Sequence, residues 1–363
     1  MNLRQRIGQC VMVGFQGTRP PEGLARMIKE FQIGGVILFS RNIESPTQLA
    51  QLTLSLQKLS PDVPLLIAVD QEGGRVSRLP APFTQFPSAR AIGIRNSVPL
   101  TYSLAEAMAK ELTAAGINMN MAPVLDVDTC PSNPIIGDRS FGKNPTIVSK
   151  QGLAMIAALQ DNRVVSCAKH FPGHGDTTVD SHQELPKISH PLKRLLEVEL
   201  RPFIHAAENR VASIMTAHIL FKHLDSELPA SLSKKVITHL LRKGLGYDRM
   251  VVTDDLEMKS ISEHFSIEEA ALKAFTAGSD LLLVCSSEEA QGRVLETLTR
   301  EAEKKKITES RISTALDRVL RVKESFLLPM HPVNPKEVKN LVGIEKHKRI
   351  VAEIENRGGK KDG

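Results

Sequence analysis

Residues 164–182 read VVSCAKHFPGHGDTTVDSH. A short apolar run ends at Ala168, and the next fourteen positions hold three histidines, two aspartates, a lysine and two glycines. An apolar run of that length leading into glycine-bearing loop sequence reads as a buried strand. Ionisable groups gathered beside a core cost free energy unless they react or bind something. The junction at Ala168 and Lys169 is therefore a strand end that carries chemistry, and an enzyme is the leading reading.

The same junction recurs. Asp70 follows LLIAV, Asp126 and Asp128 follow MAPVL, His218 follows IMTA, and Asp254 and Asp255 follow VVT. Strands are expected at 10–15, 35–39, 65–69, 118–123, 166–170, 213–218, 250–253 and 280–285. Helical patterns lie between several of them, at 46–59, 102–115, 146–160, 266–277 and 287–304, with a last one at 308–325. Ser45 and Thr308 are placed as N-caps, Pro46 as the first helical residue, and Gly116 as a C-terminal cap. Eight apolar strands, many separated by helices, imply an α/β fold of the TIM-type (β/α)8 barrel kind, with a doubly wound sheet as the alternative. The crossover between Phe15 and Gly35 is short, so the first repeat has room to be irregular. Barrel enzymes place their sites at the C-terminal strand ends, where five of these strands carry polar residues. One catalytic domain is expected over 1–328, with a basic helical appendage over 329–363.

Composition narrows the class. The 363 residues are 41% hydrophobic and 24% charged, with a net charge of +6, as expected of a soluble globular protein. Much of the positive charge sits late, in Lys336, Lys339, Lys346, Lys348, Arg349, Arg357, Lys360 and Lys361. Glu337, Glu345, Glu353 and Glu355 interleave with them, which reads as a solvated terminal helix rather than a nucleic-acid surface. No nucleic-acid motif is present. Cys10, Cys130, Cys167 and Cys285 form no CxxC pair, and three of them lie in apolar runs as small buried hydrophobes. The N-terminal stretch lacks an apolar signal region, and no run approaches the ~18 apolar residues of a membrane span. A cytoplasmic protein is expected, with no membrane insertion and a monomer as the default state. With no Trp and two Tyr, stacking on a sugar falls to Phe, His, Arg or Met.

The clusters suggest roles. Successive strand residues alternate faces, so one of Asp254 and Asp255 faces the pocket while the other bonds to backbone or caps the next segment. A carboxylate there can serve as nucleophile, base or metal ligand. Asp180 and His182 are two apart, close enough for the carboxylate to fix the imidazole tautomer and raise its basicity. Lys169 and His170 stand at the rigid strand end and suit the hydroxyl or carbonyl oxygens of a substrate. Asp70 suits two sugar hydroxyls. Arg75 and Arg78 are ligand clamps or surface charges. Arg139 either binds substrate or braces Asp126 and Asp128, which read mainly as structural. A metal site built from His170, His174, Asp176 or His182 is opposed by the adjacent Lys169 charge, and no HExxH or cysteine cluster supports one. No metal and no cofactor are expected.

AVDQEGGRVSRL, IGDRSFG, KHFPGHGDTTVDSH and VVTDDLEM, in that order, resemble the blocks of glycoside hydrolase family 3. Within it they are similar to the single-domain bacterial β-N-acetylglucosaminidases of cell-wall recycling. The resemblance covers roughly residues 3–328. It implies Asp254 as nucleophile, although the family usually has Ser where Thr253 stands. It implies His182 as general acid/base polarised by Asp180, on a loop that Gly173 and Gly175 allow to move. It assigns Asp70, Arg78, Arg139, Lys169 and His170 to sugar binding. The implied reaction is a two-step retaining displacement that removes N-acetylglucosamine from muropeptide fragments, as in its β-1,4 link to 1,6-anhydro-N-acetylmuramic acid. A histidine departs from the usual pair of carboxyls. A neutral base does not repel an anionic acceptor, so a phosphorylase on the same linkage stays open. Assistance by the acetamido group is a further route, though it needs no dedicated nucleophile. A non-catalytic muropeptide sensor and a metal-dependent barrel hydrolase are the remaining alternatives. A sensor has no need of both Asp254 and His182.

Overall fold

Eight parallel strands close on themselves in the computed structural model, which describes residues 1–181 and 184–356. In chain order the strands are β1 (Val11–Val13), β2 (Gly35–Leu38), β3 (Leu66–Val69), β4 (Met119–Asn120), β5 (Val165–Phe171), β6 (Lys187–Ile188), β7 (Ser213–Thr216), β8 (Leu220–Phe221), β9 (Met250–Asp255) and β10 (Leu281–Val284). The barrel runs β1-β10-β9-β7-β5-β4-β3-β2, and β6 pairs with β8 in a small separate sheet. The TIM-type barrel expected from the sequence is the fold, and each of the eight candidate segments overlaps a barrel strand.

Alternation along the strands separates two cores. Met12, Ile37, Ala68 and Cys167 point inward and pack in the barrel interior. Their neighbours Val11, Val36, Ile67 and Ala168 face the surrounding helices. The helix Glu309–Leu327 begins at the expected Thr308 cap and adds Val319, Val322 and Leu327 to the inner cluster. Ser45 accepts the Gln48 amide at 3.2 Å and starts Pro46–Lys58 with Pro46 in its first turn. Cys10, Cys167 and Cys285 are buried, and burial pushes the first two thiols up to about 12.

Two expectations need correction. The short first crossover holds a regular ten-residue helix, Glu22–Phe31. At 1.5 Å per residue such a helix spans about 15 Å, enough to return along a short strand. Irregularity lies later, in the π-wound Lys235–Gly244 and in the small sheet. The C-terminal segment does form a helix, Glu345–Glu355, but it is not solvated all round. Val338, Val342, His347, Val351 and Ile354 are buried, and the helix Glu345–Glu355 packs on the helices Val98–Ala114 and Ala89–Arg95. Its basic residues lie on the opposite, exposed face. Arg357, Lys360 and Lys361 lie outside the described residues. No helix among the described residues is long and apolar enough to cross a membrane.

The docking has a polar centre. Glu111, fully buried, accepts hydrogen bonds from His347 Nδ1 (2.7 Å), the Gly343 amide (2.8 Å) and the Thr84 amide (2.9 Å). Burial alone would raise its pKa. The bonds from His347, Thr84 and Gly343 outweigh burial and hold it below the usual glutamate value. Glu111→Ala is expected to cost about 2–4 kcal/mol in urea unfolding, because several buried donors lose one charged acceptor. The sign with pH follows from the lowered folded pKa. The contribution is complete above the unfolded value of about 4.3 and is lost as pH falls through the lower folded value. Unfolding midpoints of the wild type and Glu111→Ala, measured from pH 7 downward, should therefore converge in acid.

Candidate active site

A cavity of about 290 Å³ opens at the C-terminal end of the barrel. Asp70, Arg78, Arg139, Lys169, His170 and Asp254 all line it, together with Glu72, His174, Ser181 and Asp255. Six of the eight expected site residues thus come together from separate strand ends. A larger cavity of about 590 Å³ lies at the other end of the barrel, and no carboxylate among the described residues lines it. It thus offers no carboxylate counterpart to Asp254.

Strand order sets the distances across the site. β3, which leads into Asp70, and β9, which carries Asp254, are four strands apart in either direction around the ring. β5, with Lys169 and His170, stands midway between them on one side. Consecutive strand residues should point to opposite faces, yet Lys169 and His170 both line the cavity. The register of β5 against β7 shifts between Ala168 and Phe171, and that irregularity turns both side chains inward. The register of β9 against β10 shifts in the same way before Asp255.

Lys169 is 2% exposed and reaches Asp70 Oδ1 at 2.8 Å and Glu72 Oε1 at 2.7 Å. Arg139 grips Glu72 with two bonds of 2.8 Å each. Arg78 Nη2 stands 3.4 Å from Asp70 Oδ2. Burial disfavours the charges of Glu72, Lys169 and Arg139, but opposite charges win. Lys169 and Arg139 hold Glu72 far below the carboxylate range. Asp70 and Glu72 hold Lys169 above the usual lysine value. Arg139 therefore does not brace Asp126 or Asp128. Arg90 does the latter, and Arg75 pairs with Asp138 at 2.7 Å, away from the cavity.

Asp126 is the structural post that the sequence suggested. Fully buried, it accepts His170 Nδ1 at 2.7 Å, the His170 amide at 3.1 Å and the His174 amide at 2.7 Å. His174 meets Thr177 Oγ1 at 2.9 Å and Ser181 Oγ at 3.0 Å. Burial, then the nearby His170, pushes its pKa down to about 4, so it is neutral at physiological pH. Gly173 and Gly175 have a static reason as well. A Cβ on Gly175 would lie 1.7 Å from the Val127 carbonyl oxygen, and Gly173 has φ +141° against Glu199.

Asp254 Oδ1 accepts the Asp255 amide at 2.8 Å. Burial would raise its pKa, but His218, His170, that amide and Lys169 hold it below the usual aspartate value. Asp255 goes the other way: burial and the Glu257 and Asp254 charges push it up to about 7, despite amide bonds from Glu257 and Cys285. Two adjacent carboxyls with opposite shifts give one ionised group and one that still carries a proton near neutrality. His218 Nε2 lies 2.9 Å from the Asp255 carbonyl and so ties β7 to β9. Asp180 is half-buried beside the cavity-lining Ser181. His182, expected as the acid/base, lies outside the described residues.

Asp176, His190 and Glu199 bring possible ligand atoms within 4.8 Å of one another. Arg194 already grips Glu199 at 3.0 Å, and His190 Nε2 donates to Asp176. The guanidinium supplies the positive charge that an ion would bring. Sequence reasoning misses Glu72 and Arg90. Glu72 was findable, because it stands two residues after Asp70 in DQEGG. Arg90 gave no signal, being one arginine in an ordinary helix.

A parallel barrel with an ionised strand-end aspartate across a polar cavity from a second carboxylate, Asp70, suits a glycoside hydrolase. The chain belongs to glycosyl hydrolase family 3, whose N-terminal domain profile matches residues 2–322. It is 36% identical to a protein named beta-hexosaminidase A from Pseudoalteromonas piscicida, over 93% of this chain and 60% of that one. The chain thus spans less than two thirds of that relative's length. It is 38% identical to a beta-hexosaminidase of Alkalilimnicola ehrlichii, covering 79% of this chain and 84% of the other. A solved family 3 beta-N-acetylglucosaminidase from Paenibacillus sp. FPU-7 superposes with a TM-score of 0.91 at 39% identity, over 98% of this chain and 68% of its own.

Replacing Asp126 with Ala should lower unfolding free energy by about 3–5 kcal/mol, since it strips a buried acceptor from an imidazole and two amides. Guanidinium unfolding of the purified variant checks this. An unchanged midpoint would remove Asp126 as the post that holds His170.

Proposed function

We propose that the protein is a retaining β-N-acetylglucosaminidase acting on non-reducing terminal N-acetylglucosamine of muropeptide fragments, with Asp254 as nucleophile and His182, polarised by Asp180, as acid/base. The observation that carries the reading is the ionised Asp254 at the end of β9, four strands from Asp70 across one cavity. The names of the relatives support the amino sugar. A sugar held between these two carboxylates has hydroxyl acceptors at Asp70 and donors at Lys169, Arg139 and His170, and it presents its anomeric carbon toward Asp254.

The chemistry proceeds in two displacements. An Asp254 oxygen attacks the anomeric carbon while His182 gives its proton to the leaving glycosidic oxygen. A covalent glycosyl ester forms and the aglycone leaves. His182, now neutral, takes a proton from water as that water attacks the same carbon. The ester bond breaks, and the sugar leaves with its anomeric configuration retained. A nucleophile must be ionised to attack, and His218, His170 and Lys169 keep Asp254 so. The acidic limb of kcat/KM should therefore not rise through the ordinary aspartate range near 4 on account of Asp254. A muropeptide aglycone and a cytoplasmic location belong to this same proposal.

Asp254→Asn should abolish turnover of an aryl β-N-acetylglucosaminide. Near-wild-type rates in the folded variant would refute the nucleophile. His182→Ala should slow substrates with poor leaving groups far more than activated aryl ones, and equal losses on both would argue against an acid. Mass analysis of products with and without phosphate separates hydrolysis, the expected outcome, from transfer to phosphate.

A further inference from the structure

Five charged groups alternate in sign along one wall of the cavity: Arg78, Asp70, Lys169, Glu72 and Arg139. Four of them were assigned to sugar binding by motif, and Glu72 was not. It is nevertheless the most enclosed carboxylate of the wall, with a side chain 4% exposed against 16% for Asp70.

Counting donors shows what it does. An ammonium has three N–H groups. Asp70 Oδ1 takes one of Lys169's and Glu72 Oε1 takes another, which leaves one. A guanidinium has five. Arg139 spends Nε and Nη2 on Glu72, and Nη1 reaches the Ile135 carbonyl at 3.3 Å. Both Glu72 oxygens are occupied by these contacts. Without Glu72, Lys169 would be buried against Asp70 alone, and Arg139 would lose its only carboxylate among the described residues. The ammonium would then compete with a sugar for Asp70, and the guanidinium would lose its fork.

We propose that Glu72 is a positioning residue. It divides the donors of Lys169 and Arg139 so that one ammonium N–H and the oxygens of Asp70 remain for the bound sugar. It acts through the two cations rather than on the sugar itself. This deepens the glycosidase reading and rests on it.

The test is Glu72→Gln, which keeps shape and removes charge, with Glu72→Asp, which keeps charge and shortens reach. Circular dichroism and thermal melts establish folding. Calorimetry gives the Kd for N-acetylglucosamine, and the aryl glycoside gives kcat and KM. For Glu72→Gln the expected result is a Kd and a KM raised by about 30-fold or more with a smaller change in kcat, since displaced binding groups cost up to about 100-fold. Glu72→Asp should fall between Gln and wild type. If Glu72→Gln does not fold, Glu72→Asp carries the test alone, with Kd raised at least about 5-fold. A folded variant with lowered stability but Kd and KM within about twofold of wild type would make Glu72 a brace only and overturn the proposal. A wild type that neither binds N-acetylglucosamine nor cleaves the glycoside overturns the glycosidase reading and this one with it. A wild type that does both, beside an indifferent Glu72→Gln, overturns this one alone.

Discussion

A lysine ammonium at 2% exposure cannot remain charged in a protein interior without anions against it. Lys169 meets that requirement with two, and both lie in the segment after β3, some hundred residues earlier in the chain. Glu72 in turn needs Arg139, from the turn Gly137–Arg139 after β4. One desolvated charge thereby fixes the relative positions of three connections that the barrel alone would leave free. The rest of the cavity wall is arranged around that chain of opposite charges.

The far side of the cavity obeys a different rule. Asp254 and Asp255 are neighbours in sequence, but their environments drive them apart: cations and histidines around the first, burial and acidic neighbours around the second. Reactivity in such a pair comes from asymmetry, because two equally ionised carboxylates would repel and two neutral ones could not attack. The histidines contribute through tautomer control. Asp126 fixes the proton of His170 on Nδ1, while His174 is kept neutral between two hydroxyls. The barrel supplies the separation: closure of eight strands sets β3 and β9 face to face, and no loop is needed to bring them there.

The strand-to-loop junctions were legible because each is local. An apolar run that stops at Asp70, Lys169 or Asp254 records in adjacent residues both where a strand ends and what it presents. Ser45, Thr308 and Gly116 were legible for the same reason, since a cap acts within one turn. The tail is only half legible because its interleaved charges describe only the exposed face of the helix Glu345–Glu355. The buried face answers to Glu111, on a distant helix.

By itself the sequence determined the alternation of strands and helices, the barrel, and the set of polar residues at its C-terminal rim. Tertiary structure alone decided which of those residues pair: Glu72 rather than Asp126 with Arg139, Asp126 with His170 and His174, Arg90 with Asp128. Periodicity and capping are written over a few residues, whereas the Lys169–Asp70 contact joins positions 99 apart. Such a contact exists only once the ring closes in a particular register, and a one-residue register shift in β5 turns side chains that simple alternation would have sent to opposite faces.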